Sequence, residues 1–463
     1  MCEGNRRGLG VGEAHRRSSS TSATGLPLRN ELAPARLSVE GRLCGVQRPH
    51  EAYTGEVSGE FFRVRRVSEA LQAFTPTRRA GTEEIELGSA LGRVTAADLH
   101  ARAPLPGFAR ATVDGYALRA RDTYGASDSL PAYITVVARA AVDAPPAARP
   151  ESGQAVAVPT GGAVPPGADA VVMVEHTSET TAGTIEVTRP AAPGDGLVGP
   201  DEDVRHGQRL VQAGRRLRAQ DLGLLAAAGL TRVAVRRRPV VGIVSTGDEL
   251  VPPDTHSLRP GQVRDATASA VAAIAIESGA EAAYLGIARD EPAALREIMA
   301  KGLERSDLLV VSAGSSVGAR DITAEAVASL GKPGIWCHGL AIKPGKPTLL
   351  AECGDVPLIG LPGNPLSALV VFRLVGAPLI DAVAGSTHYA RRPIRSAHLS
   401  RDVPSAAGRL DIVQVTLTGD SATPLFGKSA LLSTLALADG QIAVPEEASG
   451  LVAGTAVEVE LHG

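Results

Sequence analysis

Leu361-Pro362-Gly363-Asn364-Pro365 joins two apolar runs, DVPLIGL from Asp355 to Leu361 and LSALVVFRLVGAPLIDAV from Leu366 to Val383. The first is short and broken by Gly and Pro, whereas the second repeats at helical spacing, so the pair reads as strand, tight turn and helix. The turn meets a helix N-terminus, where the first backbone N–H groups have no internal partner and carry the positive end of the helix dipole. Anions settle at such ends. Pro362 and Pro365 fix the backbone direction, Gly363 permits close approach, and Asn364 offers an amide donor and acceptor. A rigid turn with no ligand has the same composition. The neighbouring segments decide between the two.

Outward from that turn, Pro239 to Gly385 alternates strands with helices. VVGIVS is a buried strand, Ala266 to Glu277 a helix, Glu281 to Ile287 a strand, Glu291 to Leu303 a helix and Asp307 to Ala313 a strand. Thr323 to Leu330 reads as a helix, and Thr348 to Glu352 and Pro357 to Leu361 as strands. Alternation with short loops predicts a mostly parallel sheet covered on both faces, with ligands at the carboxyl ends of its strands. Those ends carry the chemistry. Thr246-Gly247-Asp248-Glu249 follows the first strand, Arg289-Asp290-Glu291 the second, and Gly314-Ser315-Ser316-Val317-Gly318-Ala319-Arg320-Asp321 the third. Lys343-Pro344-Gly345-Lys346-Pro347 precedes another strand. Carboxylates suit a divalent cation, lysines neutralise anionic oxygens, and Gly-rich backbone cradles the rest, as a phosphate-bearing substrate requires.

Each residue alone has a plainer explanation. Asp248, Glu249, Asp290 and Asp321 also read as helix caps or first-turn acids, and Lys343 and Lys346 as solvated loop lysines. Their convergence on one sheet edge favours a site. The GSSVG loop is neither a Walker A nor a dinucleotide fingerprint, because it lacks the spacing and the Lys.

Length and composition bound the class. A chain of 463 residues exceeds one core and predicts about three folded units. A net charge of -3 argues against general nucleic-acid binding, so any basic site is local. Cys2, Cys44, Cys337 and Cys353 lie far apart, giving neither a disulfide framework nor a zinc pattern, and the histidines are as scattered. A reducing, cytoplasmic setting fits, with no membrane partner, since the longest apolar helix carries Arg373 and Asp381.

The flanks differ in rhythm. Residues 1–61, rich in Arg, Ser, Pro and Gly, read as a disordered extension. Val67 to Phe74 and Glu84 to Leu99 show helical spacing and, with 197–238, suggest a split helical and linker domain over 62–104 and 197–238. A β-rich inserted domain occupies 105–196. In it, Thr112-Val113-Asp114-Gly115-Tyr116 puts a carboxylate before a Gly turn, and Thr160-Gly161-Gly162 offers a hydroxyl and open amides. Both also read as ordinary turns. The α/β domain then spans 239–386, and a C-terminal β module 387–463.

Taken together, VDGYA, PTGGAVPPGADAVV, GIVSTGDELV, the GSSVG loop with Asp321, IKPGKP and GLPGNPLSA stand in the order and spacing of the molybdopterin molybdenumtransferases. The chain from Val64 to Gly463 resembles this family, the molybdenum insertases that include the gephyrin E domain. The resemblance implies a multidomain α/β subunit: a molybdopterin-binding-type α/β domain, a β-rich insertion, a split helical domain and a C-terminal β module. It implies a homodimer whose cleft is shared between the α/β domain of one subunit and the β-rich domain of the other. It further implies insertion of molybdate into adenylylated molybdopterin (molybdopterin-AMP) with Mg2+, releasing AMP. A molybdopterin adenylyltransferase and a molybdoenzyme are the expected protein partners.

Carried over by residue, Asp114, Thr160, Glu249, Asp290, Asp321, Lys343 and Lys346 resemble the catalytic set, and Asp248, Glu249 and Asp321 the magnesium neighbours. Thr246, Gly247, Gly314, Ser315, Ser316, Gly318, Pro362, Gly363, Asn364, Pro365 and Ser367 resemble the substrate-binding surface. The chain departs from the pattern at Phe108-Ala109-Arg110-Ala111, where many relatives have Phe-Asp-Asn-Ser. It departs also at Thr267, often Asn, and at Ala313, often Gly. Two other readings remain: the preceding adenylylation step, which shares the α/β domain, and a non-catalytic scaffold or carrier that hands the cofactor to an oxidoreductase.

Overall fold

The computed structural model describes residues 64–462 apart from 145, 147, 182, 313–316, 388–391 and 429. The expectation for residues 1–61 lies outside these. The α/β domain is built from β1 (Val240–Thr246), α1 (Ala266–Glu277), β2 (Glu281–Ala288), α2 (Pro292–Arg305), β3 (Leu308–Ser312), α3 (Val317–Ser329), β4 (Pro333–His338), β5 (Leu349–Cys353), β6 (Val356–Leu361) and α4 (Pro365–Val383). The strand order is β2-β1-β3-β6-β5-β4. β1 pairs in parallel with β2 and β3, and β3 with β6, whereas β5 runs antiparallel to both β6 and β4.

Alternation along the strands fills two layers. Val241, Ile243, Leu308, Val310 and Ile359 face α1 and α4, while Val244, Leu309, Val311 and Leu358 face Leu295, Met299, Ala326 and Val327 of α2 and α3. Helices therefore cover both sides of the sheet, as a buried parallel sheet demands.

Among the described residues α4 is long and apolar enough to cross a membrane, but it is mostly buried in protein. Its residues Phe372–Gly376 form a π-helical turn. Pro378 explains it: the ring removes an N–H from the helix ladder, and the wider turn absorbs the mismatch. The acid of α4, Asp381, is 5% exposed and accepts from Arg216 Nη2, while Arg216 Nη1 donates to Gly92 O at 2.8 Å. One arginine thus ties the α/β domain to the preceding unit.

That unit differs from expectation. Residues Glu84 to Leu99 are not helical; Thr82–Glu86 is a strand antiparallel to Arg232–Arg236, followed by a single 3₁₀ turn, Leu87–Ser89. Pairing with a distant strand, aided by Arg232 bonding Glu86, overrides the local spacing. Helix Val67–Ala73 inserts Val67 and Ala70, with Phe74, into the α/β core, whereas 85–105 and 204–235 bury a core of their own. Helix Ala219–Ala227, with Ala228 as its C-cap, is followed by Gly229 at φ +83°.

The β-rich unit is a six-stranded sheet containing Gly115–Leu118 and Gln154–Val158, and its buried clusters draw only on residues between 109 and 197. In the C-terminal module, Leu410–Thr418, Ser421–Leu425, Ile394–Leu399, Ala456–Leu461 and Gly440–Val444 close into a ring, and Ile342–Lys343 adds in parallel to Leu410–Asp411. That graft joins the α/β loop to the module.

Asp381→Ala leaves the largely buried Arg216 charge without its carboxylate, and we expect a loss of about 2–4 kcal/mol. Urea unfolding followed by tryptophan fluorescence at the lone Trp336, which packs against Phe74 in the same core, reads it.

Candidate functional site

Parallel register sets the site edge. Thr246 pairs with Ala288, and Ser312 with Leu361, so the loops after β1, β2, β3 and β6 leave together. β5 runs the other way, and its first residue, Leu349, pairs with Gly360 and His338; the Lys343–Pro347 turn therefore reaches the same edge from the opposite direction. Strand order reverses between β1 and β3, the position where open α/β sheets form a ligand crevice.

On one side of that crevice lie acids. Thr246, buried at the end of β1, donates Oγ1 to Asp290 Oδ1 at 2.6 Å. Asp290 N makes a long 3.4 Å bond to Asp248 Oδ1. Gly247 (φ +155°) sits so close that an added Cβ would stand 2.7 Å from Glu249 Oε2. Any side chain at 247 would displace the Glu249 carboxylate. The expected residues Thr246, Gly247, Asp248, Glu249 and Asp290 thus form one cluster, and Asp248 is exposed at its rim.

On the other side lie cations and the proline turn. Gly345 takes φ +124°, and a Cβ there would be 2.4 Å from Val371 Cγ2 of α4 and 3.9 Å from Ser367 O. This close approach seats the Lys343-Pro344-Gly345-Lys346-Pro347 turn on the first turns of α4, beside Pro362 to Pro365. Asn364 occupies the N-cap of α4, Pro365 the first turn, and no Asn364 side-chain bond caps the helix. Ser367 is 4% exposed. Lys346 is exposed; Lys343 Nζ lies 3.7 Å from Asp411 Oδ2.

Asp411 is a residue the sequence reading missed, together with Arg409. It is 2% exposed and also accepts from Arg409 Nε at 2.8 Å. One buried carboxylate therefore holds a lysine from the α/β loop and an arginine from the C-terminal module at the same place. The available signal was an acid at an inward position of an alternating strand, since a buried charge needs a partner.

Gly314, Ser315 and Ser316 lie outside the described residues. Gly318 and Asp321 fall within α3, which begins at Val317 rather than at Thr323; Asp321 is thus inside the helix and not the residue preceding it. Ala319 and Arg320 are good helix formers, so α3 takes in six residues ahead of Thr323.

Asp114 and Thr160, 46 residues apart, meet on the β-rich sheet. Thr160 donates both its N–H, at 2.6 Å, and its Oγ1, at 3.0 Å, to Asp114 Oδ1. These bonds, the backbone one foremost, hold the Asp114 carboxyl below the ordinary aspartate range. Gly115 cannot be enlarged, because a Cβ would fall 2.0 Å from Val172 O.

Three family models match in sequence: the MoeA N-terminal region (domain I and II) over residues 65–229, a probable molybdopterin binding domain over 242–382, and the MoeA C-terminal region (domain IV) over 396–462. The molybdopterin molybdenumtransferase of Bacillus subtilis is 33% identical over 407 residues, 85% of this chain and 93% of that protein. That of Nostoc sp. is 35% identical over 307 residues, 66% of this chain and 70% of that protein. The crystal structure of the molybdopterin biosynthesis MoeA protein from Pyrococcus horikoshii superposes with TM-score 0.75 at 28% identity, over 86% of this chain and 100% of its own. With this domain order, this sheet edge and these relatives, the chain belongs to the molybdopterin molybdenumtransferase family.

Proposed function

We propose that this protein inserts molybdate into adenylylated molybdopterin in a Mg2+-dependent reaction that releases AMP, in the cytoplasm, as a homodimer with a cleft shared between subunits. The observation that carries the reading is the placement of an acid cluster and a cation cluster at one edge of one sheet. Both substrates are anions, and the reaction separates a phosphate leaving group. A site for it needs cations for the tetrahedral oxyanion and acids for a metal at the phosphates.

Lys343, Lys346 and Arg409 neutralise molybdate, with Asn364 and the first N–H groups of α4 completing the surface. Asp411 fixes Lys343 and Arg409, so they are in place before the anion arrives. Among the described residues no three acids converge on one metal position, so Mg2+ would be held by one or two carboxylates, with Asp248, Glu249 and Asp321 as the candidates, completed by substrate phosphate oxygens and water. Asp248, exposed with only a long contact, keeps capacity for a ligand. When bound, the cation supplies charge neutralisation and polarisation at the phosphate oxygens. Thr246 orients Asp290, and the Gly247 backbone leaves Glu249 its room. On the β-rich side Thr160 donates twice to Asp114, which orients its carboxylate and holds it below the ordinary aspartate range. Partner proteins for substrate supply and cofactor delivery, an adenylyltransferase and a molybdoenzyme, fit the same reading.

Purified protein given adenylylated molybdopterin, Mg2+ and molybdate should release AMP as molybdenum cofactor forms. Asp290→Asn and Asp321→Ala should each slow AMP release about a hundredfold or more. Tight substrate binding without turnover in the wild type would instead mark a carrier.

A titration tests the Asp114 assignment. Its folded-state pKa is lowered, so the Thr160 bonds contribute fully at neutral pH and are lost as pH falls through that lowered value. Thr160→Val removes the hydroxyl and keeps the N–H, so the Asp114 carboxyl carbon, followed by NMR, should titrate at higher pH than in wild type yet still below a free aspartate.

A further inference from the structure

Residues Phe108 to Asp114 alternate strictly in burial. Ala109, Ala111 and Val113 turn inward to the cluster containing Val156, Val158 and Val171, while Phe108, Arg110, Thr112 and Asp114 stand in solvent. The backbone is pinned on both flanks: Ala111 N donates to Gly162 O at 2.9 Å, Gly161 N to Ala111 O at 2.8 Å, and Thr112 N to Gly196 O at 2.9 Å. A strip pinned by strand pairing at Arg110–Ala111 therefore presents a ring, a guanidinium, a hydroxyl and a carboxylate on its exposed side.

The fold leaves the first two of these largely unspent. The Phe108 side chain is 50% exposed. The Arg110 side chain makes one hydrogen bond, Nε to Gly161 O at 3.3 Å, and its terminal nitrogens bond no other described residue. Gly161 enables the arrangement: even a Cβ there would sit 3.2 Å from Arg110 Nη2, and the residue takes φ +80°. The guanidinium thus lies against the loop that also carries Thr160, next to the Asp114 carboxylate's own donor.

Resting on the insertion reading, we infer that this strip recognises the nucleotide half of the substrate, with Phe108 stacking on the planar base and Arg110 pairing with phosphate oxygens. A ring and a guanidinium two positions apart match a base and its phosphate. Molybdate, a bare tetrahedral oxyanion, would engage the guanidinium and leave the ring idle. Arg110 is then the residue that makes the β-rich side prefer a phosphorylated adenosine to the nucleoside, and it stands where the sequence departs from many relatives.

The test uses the full chain with AMP and adenosine as probes, by titration calorimetry, beside the molybdate KM of the complete reaction. Arg110→Ala should weaken AMP about tenfold or more while leaving adenosine and the molybdate KM unchanged. Phe108→Ala should weaken AMP and adenosine alike, and Arg110→Lys should restore part of the AMP affinity. Circular dichroism checks folding, and Arg110→Gln replaces Arg110→Ala should the latter fail it. AMP affinity within about twofold of wild type in the folded variant overturns the inference, as does a raised molybdate KM with AMP binding intact. Arg110-dependent AMP binding in a wild type that never turns over upholds this inference and removes the insertion reading; turnover with Arg110-independent AMP binding does the reverse.

Discussion

Parallel pairing of Val240–Thr246 with Leu308–Ser312, and of the latter with Val356–Leu361, is the constraint on which the site depends. Parallel strands cannot be joined by a hairpin, so each connection must cross a face of the sheet, and helices are what cross. The same rule makes every helix enter from the carboxyl edge. Loops that begin helices therefore gather at one place, with backbone donors and positive dipole ends directed there. The core holds this geometry: β1, β3 and β6 are nearly all buried, and the buried hydroxyl of Thr246 at the end of β1 is paired with Asp290.

This explains which parts of the chain were legible. Fully buried strands bounded by Gly and Pro, alternating with apolar helices, announce the α/β domain, and α1 falls where the spacing places it, Ala266 to Glu277. The family's motifs carried the rest of the domain order. What the sequence concealed depends on distant partners. Thr82–Glu86 is a strand only because Arg232–Arg236 lies beside it, and Pro333–His338 joins the sheet as an edge strand whose residues are mostly half-exposed. Neither has a local hydrophobic period to read. The candidate residues were legible as types at strand ends, yet their contacts were not: Thr246 with Asp290, Thr160 with Asp114 and Lys343 with Asp411 each span more than 40 residues.

Opposite charges at one edge would collapse onto each other if left mobile. The structure gives two of them partners of their own. Asp290 accepts from a buried hydroxyl, and Lys343 rests near a carboxylate that Arg409 already bonds. A buried acid shared by two cations leaves a net positive surface, whereas an acid held by a neutral hydroxyl leaves a net negative one. The asymmetry of partners, more than the residue count, separates a net positive side from a net negative side.

The β-rich unit follows a different logic. Its cores contain no residue of the α/β domain, and it hangs from the linker unit by the paired segments around Leu105 and Val204. Asp114, Thr160, Arg110 and Phe108 therefore sit on a rigid platform whose position relative to the sheet edge is set by a connection and not by a common core. A platform tied in this way suits a cleft completed by a second copy, because closing around substrate then needs no repacking of either core. On the proposed function, the nucleotide would bridge two independently stable surfaces, the strip around Arg110 and the α/β sheet edge. Binding energy gained on the first is thereby available to position the reacting phosphate at the second.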